Sequence, residues 1–135
     1  MITLICGLPN AGKTTYSQRY DNVIHLDDCE RPKRKHFEKL VAESVGDIVA
    51  EGVCNSVSNR RKFLKAIKHK PDKKVCILLD TPIAVCIERE NNYRQRPASM
   101  IEQHVKHLEL PTLAEGWDEI IIIKDYHVKG IDNQK

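Results

Sequence analysis

The chain predicts an α/β domain on a parallel sheet, and three observations carry that prediction. Strand-like and helix-like runs alternate throughout its 135 residues, as they do when crossover helices join parallel strands. One run, Lys74–Asp80, is rich in Val, Ile and Leu, the composition of a strand buried on both faces. Between the apolar run Ile2–Cys6 and a helical segment lies Gly7-Leu8-Pro9-Asn10-Ala11-Gly12-Lys13-Thr14, a full G-x-x-x-x-G-K-[ST] loop. Strand, loop and helix in that order are the context this motif requires.

The elements follow in sequence. Ile2–Cys6 is the first strand, and the phosphate loop leads into a helix over Lys13–Tyr20. Val23–Leu26 reads as a short second strand. After Pro32 a helix places Phe37, Leu40, Val41 and Val45 on one stripe, and Gly46 can end it. Asp47–Ala50 is the third strand, Arg60–His69 a helix buried through Phe63, Leu64 and Ile67, and Lys74–Asp80 the fourth strand. Thr81 as N-cap and Pro82 in the first turn open a helix that runs to about Tyr93; it cannot pass Pro97 undisturbed. Met100, Ile101, Val105 and Leu108 mark one more helix, and Glu119–Ile123 the fifth strand. Residues 1–125 are thus one domain, followed by a polar tail over residues 126–135.

The phosphate loop carries the chemistry. Its glycines let the backbone wrap close to a phosphate chain with N–H groups pointing inward, and the helix start adds a positive dipole end. Gly7, Asn10, Ala11, Gly12, Lys13, Thr14 and Thr15 are the candidate nucleotide contacts. Lys13 would reach the β- and γ-phosphates, and the Thr14 hydroxyl would sit on Mg²⁺. A nucleoside triphosphate, ATP or another, is the expected ligand.

Composition narrows the class. Apolar content of 41% with 30% charged residues is ordinary for a globular domain, and one domain leaves no room for the extra parts of motor ATPases. No apolar stretch reaches membrane-spanning length and no charged leader precedes the first strand, so a cytoplasmic protein without membrane partners is expected. The five cysteines are scattered and never spaced C-x-x-C. Three of them, Cys6, Cys76 and Cys86, lie in apolar runs as small hydrophobes do. The six histidines show no metal-ligand spacing either.

The net charge of +3 hides an asymmetry: residues 31–74 hold thirteen Lys/Arg against five Asp/Glu. Solvated lysine-rich helix faces account for such a bias. A surface that attracts a polyanion such as single-stranded nucleic acid accounts for it as well.

Ligands of parallel α/β sheets gather beyond the C-terminal ends of the strands, so residues just after each strand are the candidates. Asp27-Asp28 follows the second strand, and phosphoryl transfer to a hydroxyl needs a carboxylate to orient the acceptor and take its proton; Asp27 is the choice of the two. Glu51-Gly52 follows the third, where Glu51 can hold Mg²⁺ through its water shell and Gly52 can bring backbone near the ligands. Arg89, Arg94 and Arg96 follow the fourth, where guanidinium forks can close over a triphosphate.

In order, the phosphate loop, His25-Leu26-Asp27-Asp28, Glu51-Gly52, Arg89-x-x-x-x-Arg94-x-Arg96-Pro97 and Glu115-Gly116-Trp117-Asp118-Glu119-Ile120 resemble the small P-loop kinases related to the 5′-kinase domain of phage-type polynucleotide kinases. The match spans about residues 1–124. The resemblance implies a P-loop NTPase kinase fold, a five-stranded parallel sheet flanked by helices with a short helical lid. It also implies ATP and Mg²⁺ at Lys13 and Thr14, Asp27 as general base, and Arg94 or a neighbour as lid arginine. The acceptor it implies is the 5′-OH of a DNA or RNA strand, with a place in nucleic-acid repair; Asp28, Arg31 and Arg34 are then acceptor contacts. One departure stands out: these kinases follow the paired aspartates with an arginine for the acceptor's 3′-phosphate, and here Cys29-Glu30 intervene before Arg31. A kinase for a small acceptor such as a nucleoside or other metabolite is the alternative reading, and an ATP-binding module without transfer activity is a second one.

Overall fold

The computed structural model describes residues 1–124 and 126, so the expected polar tail lies outside the described residues except for Tyr126. Five parallel strands form one sheet in the order β2-β3-β1-β4-β5: β1 Ile2–Gly7, β2 Val23–His25, β3 Ile48–Glu51, β4 Lys74–Asp80 and β5 Glu119–Lys124. The connecting helices are α1 Lys13–Ser17, α2 Lys33–Glu43, α3 Val57–Ala66, α4 Ile83–Arg89 and α5 Ala98–Lys106. In register, Leu4 of β1 lies between Ala50 of β3 and Cys76 of β4.

Alternation along the central strands divides the core into two layers, because successive side chains point to opposite faces. Ile2, Leu4 and Cys6 of β1 and Cys76 and Leu78 of β4 pack with Phe37, Val41, Phe63 and Trp117 under α2 and α3. Ile5, Val75, Ile77 and Leu79 face the other way, onto Tyr16, Cys86 and Ile101 of α1, α4 and α5. Among the described residues β5 pairs only with β4, and its Ile121 and Ile122 are exposed.

The departures from sequence expectation have local causes. Val45 falls beyond the end of α2 and is 92% exposed, so the buried stripe stops at Val41. α3 starts three residues ahead of Arg60 because the Ser56 hydroxyl accepts from the Asn59 amide at 3.1 Å and caps it. Thr81 does not cap α4. Pro82 holds that position, and the Thr81 hydroxyl instead donates to the Ala11 carbonyl at 2.7 Å, tying the end of β4 to the phosphate loop. β2 ends one residue early, since Leu26–Asp28 tighten into a 3₁₀ turn, and β3 is shifted forward by one residue to end on Glu51.

Candidate active site

The segments that follow β1, β2 and β3, with residues from Arg89 to His104, surround a cleft of about 480 Å³. Gly7 ends β1 with φ +154°, and a Cβ there would stand 2.8 Å from the Leu79 carbonyl. Only glycine lets the chain turn there against β4. Asn10 and Gly12 follow in left-handed conformations, φ 65° and 103°, and Gly12, Lys13, Thr14 and Thr15 line the cleft at the start of α1, where a helix leaves its first amides without intrahelical partners. A loop so turned, with no side chain at Gly7 or Gly12 to fill it, fits a phosphate chain.

Lys13 is buried, its Nζ donating to the Gly7 carbonyl at 2.9 Å and to the Leu8 carbonyl at 2.7 Å. Burial pushes its pKa down, and the carboxylates of Glu51 and Asp27 work against that. Thr14 and Asp27 are exposed on the cleft lining. Glu51 is buried at the end of β3, its carboxylate 2.8 Å from His25 Nδ1. No group of three or more His, Cys, Asp or Glu side chains among the described residues forms a metal cage. A hydroxyl and scattered carboxylates around a phosphate cradle suit Mg²⁺, which keeps several waters and binds through phosphates. Gly52 lies on the lining, but a Cβ there would come within 2.6 Å of Leu26, so its smallness serves the packing of Leu26 against the end of β3.

The three arginines expected to act together are divided by the structure. Arg89 is buried and donates to the Asn10 carbonyl at 2.7 Å and the Tyr126 carbonyl at 3.1 Å. Arg96 forks onto the Glu90 carboxylate at 2.7–3.0 Å. Both line the cleft, yet both guanidinium groups are engaged in holding the protein. Arg94 is exposed on the lining and has no ion pair among the described residues. It stands at the end of a π-helical turn, Glu90–Arg94, closed by Gln95 at φ 58°, a distortion common at functional sites.

Of the expected acceptor contacts, Arg34 lines the cleft, and its Nη2 donates to the Val53 carbonyl at 2.6 Å. Asp28 and Arg31 are exposed and are not on the lining, which takes Leu26 and Asp27 from the 3₁₀ turn. Sequence reasoning left out Lys33, Tyr93, Met100 and His104, all on the lining. Lys33 stood in the basic run already noted, whereas nothing in the sequence brings α5 over the cleft.

No protein-family model matches this sequence, and no curated protein matches it. Solved structures do. A gluconokinase from Sinorhizobium meliloti is 16% identical, with 96% of this chain and 86% of that one covered at a TM-score of 0.72. Chaetomium thermophilum Kti12, in complex with ADP-AlF3, is 16% identical over 99% of this chain and 94% of its own, TM-score 0.76. Mycobacterium tuberculosis APS kinase, in complex with AMPPNP and APS, is 16% identical over 98% and 91%, TM-score 0.63. None of the three is described as a polynucleotide kinase. At this identity the likeness speaks for the architecture, and the chain has the fold of the P-loop kinases.

Proposed function

We infer that this protein is an ATP-dependent kinase that phosphorylates a hydroxyl of a small-molecule acceptor. The observation that carries the reading is that the phosphate loop with Lys13, Asp27 and Arg94 all line one cleft. The loop amides and Lys13 bind the phosphates of the donor. Asp27 orients the acceptor hydroxyl and takes its proton as the oxygen attacks the γ-phosphorus and ADP leaves. Arg94 approaches the charge that grows on the transferred group. Thr14 and Glu51 would hold Mg²⁺, which supplies charge neutralisation along the phosphates.

The acceptor reading turns from the nucleic-acid strand to the small molecule for two reasons. Of the three residues expected to contact a strand, Asp28 and Arg31, the latter being the arginine meant for the strand's phosphate, are not on the cleft lining, and only Arg34 is. Two of the structural likenesses above are named as kinases of small molecules, gluconokinase and APS kinase, and none supports the polynucleotide resemblance or a role in repair. The test is ATP turnover with sugar acids, sugars, nucleosides and a 5′-hydroxyl oligonucleotide as acceptors. Turnover with a small molecule is expected; labelling of the oligonucleotide alone would overturn the reading.

A further inference from the structure

A second recess, of about 350 Å³, adjoins the cleft and shares with it the wall formed by Arg34, Val53 and His104. Its remaining lining is polar and includes Asn55, Asn59 and His107. The transfer scheme above uses none of these three.

Asn55 is the informative residue. It is 4% exposed, and its Nδ2 donates to the Gly7 carbonyl at 3.1 Å. That bond fixes the amide, since exchanging its oxygen and nitrogen would set two acceptors face to face. Asn55 Oδ1 is thereby left buried without a hydrogen-bond partner, the one such side-chain atom among the described residues. Buried acceptors are rarely left so, because an unmade bond forfeits hydration without return. This oxygen calls for a donor such as a hydroxyl.

The shared wall supplies positive charge. Arg34 is held by the Val53 carbonyl and by Cys54 Sγ at 3.7 Å, which fixes its guanidinium while leaving N–H groups to give. His104 and His107 stand three residues apart at the end of α5; burial first, and then the charges of Lys13 and Arg34, disfavour protonation of His104, and an imidazole offers an N–H donor in either protonation state. The start of α3 contributes nothing further: Ser56 caps it, and the Glu109 carboxylate accepts from the Val57 amide at 3.2 Å.

We propose that the recess is the subsite for the acceptor's far end, and that the acceptor is a hydroxylated anion whose carboxylate or phosphate lies against Arg34, His104 and His107 while a hydroxyl donates to Asn55 Oδ1. The assignment rests on the kinase reading and narrows its substrate class: the reactive hydroxyl lies at Asp27 and the anion on the far side of Arg34. An uncharged sugar or nucleoside would leave the Arg34 guanidinium without an anion.

The test uses the full chain with AMPPNP and Mg²⁺ at the donor site and three probes on one carbon frame: glycerate, glycerol 3-phosphate and glycerol. Imidazole signals of His104 and His107 and the Asn55 side-chain amide are followed by NMR. At least one charged probe is expected to shift them saturably and at least tenfold more tightly than glycerol, and which one does so separates carboxylate from phosphate. If glycerate is the binder, propionate, which lacks the hydroxyls, should be weaker. Arg34→Gln should weaken the anion at least tenfold and leave AMPPNP affinity within twofold; Lys39→Gln, exposed on α2, should change neither. Equal binding of glycerol, an Arg34→Gln protein that binds the anion normally, or no response of these signals while AMPPNP binds would overturn the proposal. Failure of AMPPNP itself to bind would instead overturn the kinase reading beneath it.

Discussion

Glu90 and Arg96 form a carboxylate–guanidinium fork that also takes in the phosphate loop. Arg96 Nη2 lies 2.7 Å and its Nε 3.0 Å from Glu90 Oε1, the Arg96 amide donates to Oε2 at 2.9 Å, and Asn10 Nδ2 donates to Oε1 at 2.8 Å. Glu90 is fully buried, and these partners exist only because the π-helical turn brings residue 96 back over residue 90. One side chain therefore fixes both the left-handed Asn10 of the loop and the segment that presents Arg94. Bonds from the Arg96 side chain hold the Glu90 carboxyl at about 2, below the ordinary 4.5.

Glu90→Gln should therefore destabilise the protein by about 2 kcal/mol at neutral pH, the scale of hydrogen bonds to a charged group. The depressed pKa gives the pH dependence a sign: the ionised carboxylate contributes in full above pH 4.5 and loses its contribution as pH falls toward 2. The difference in Tm between wild type and Glu90→Gln should be flat above that window and narrow within it. A difference that grew on acidification would contradict the pairing.

Arg94 and Arg96 should separate by readout. Arg94→Ala is expected to lower turnover by roughly 10²–10³-fold, the cost of one lost transition-state donor, with Tm unchanged, since its side chain is exposed. Arg96→Ala should lower Tm, because it leaves Glu90 buried without its guanidinium. Thermal melts and steady-state rates on the two variants decide whether Arg94 alone is the lid arginine.

A second buried pair is not part of the cleft lining. Arg60, fully buried on α3, donates to Glu115 at 2.7 and 3.2 Å and to the Cys54 carbonyl at 3.1 Å. Glu115 also accepts from Trp117 Nε1 at 3.2 Å and from the Thr112 amide at 2.9 Å. Arg60→Ala should cost about 3–5 kcal/mol, as stranding one member of a buried pair does, whereas exposed Arg61→Ala should stay within about 0.5 kcal/mol. Chemical denaturation of both variants measures the contrast.

That pair shows where the sequence was legible and where it was not. The parallel sheet and the phosphate loop follow from local signals, apolar runs and a fixed motif, so they appear in the structure at nearly their expected bounds. The place of Asp27 on the cleft lining was legible for the same reason, as the residue leaving a strand beside the loop. The roles of charged residues were not, because they depend on partners distant in the chain. Arg60 reads as one of three successive surface cations until Glu115, 55 residues away, is found beside it. Arg96 reads like Arg94 until the π-helical turn, which no periodicity announces, delivers it to Glu90. The recess behind Arg34 needs α5 folded across the cleft, a tertiary fact.

Within the aspartate pair, Asp27→Asn should leave nucleotide affinity unchanged and lower turnover by roughly 10²–10⁴-fold, the usual contribution of a general base. Asp28→Asn should do far less, since Asp28 is not on the cleft lining. Isothermal titration with AMPPNP and initial rates on both variants check this; a larger loss at Asp28 would reassign the base.

Ionic strength provides the last discrimination. Arg34 and Lys33 are the basic-segment residues that reach the cleft, while Lys35 and Lys39 on α2 and Arg61, Lys62 and Lys65 on α3 are exposed away from its lining. A small anionic acceptor meets only the few cations at the cleft, so log KM against log salt should rise with a slope of about one, by the counterion count for one or two neutralised charges. A nucleic-acid strand tracking across α2 and α3 would engage several of the exposed cations and release about 0.7 counterions for each phosphate held. Neutralising Lys35 and Lys39 together should then leave the slope for the true acceptor unchanged, whereas neutralising Arg34 should flatten it. A steep slope that falls when Lys35 and Lys39 are replaced would return the strand substrate to first place, because only a ligand longer than the cleft can reach those side chains.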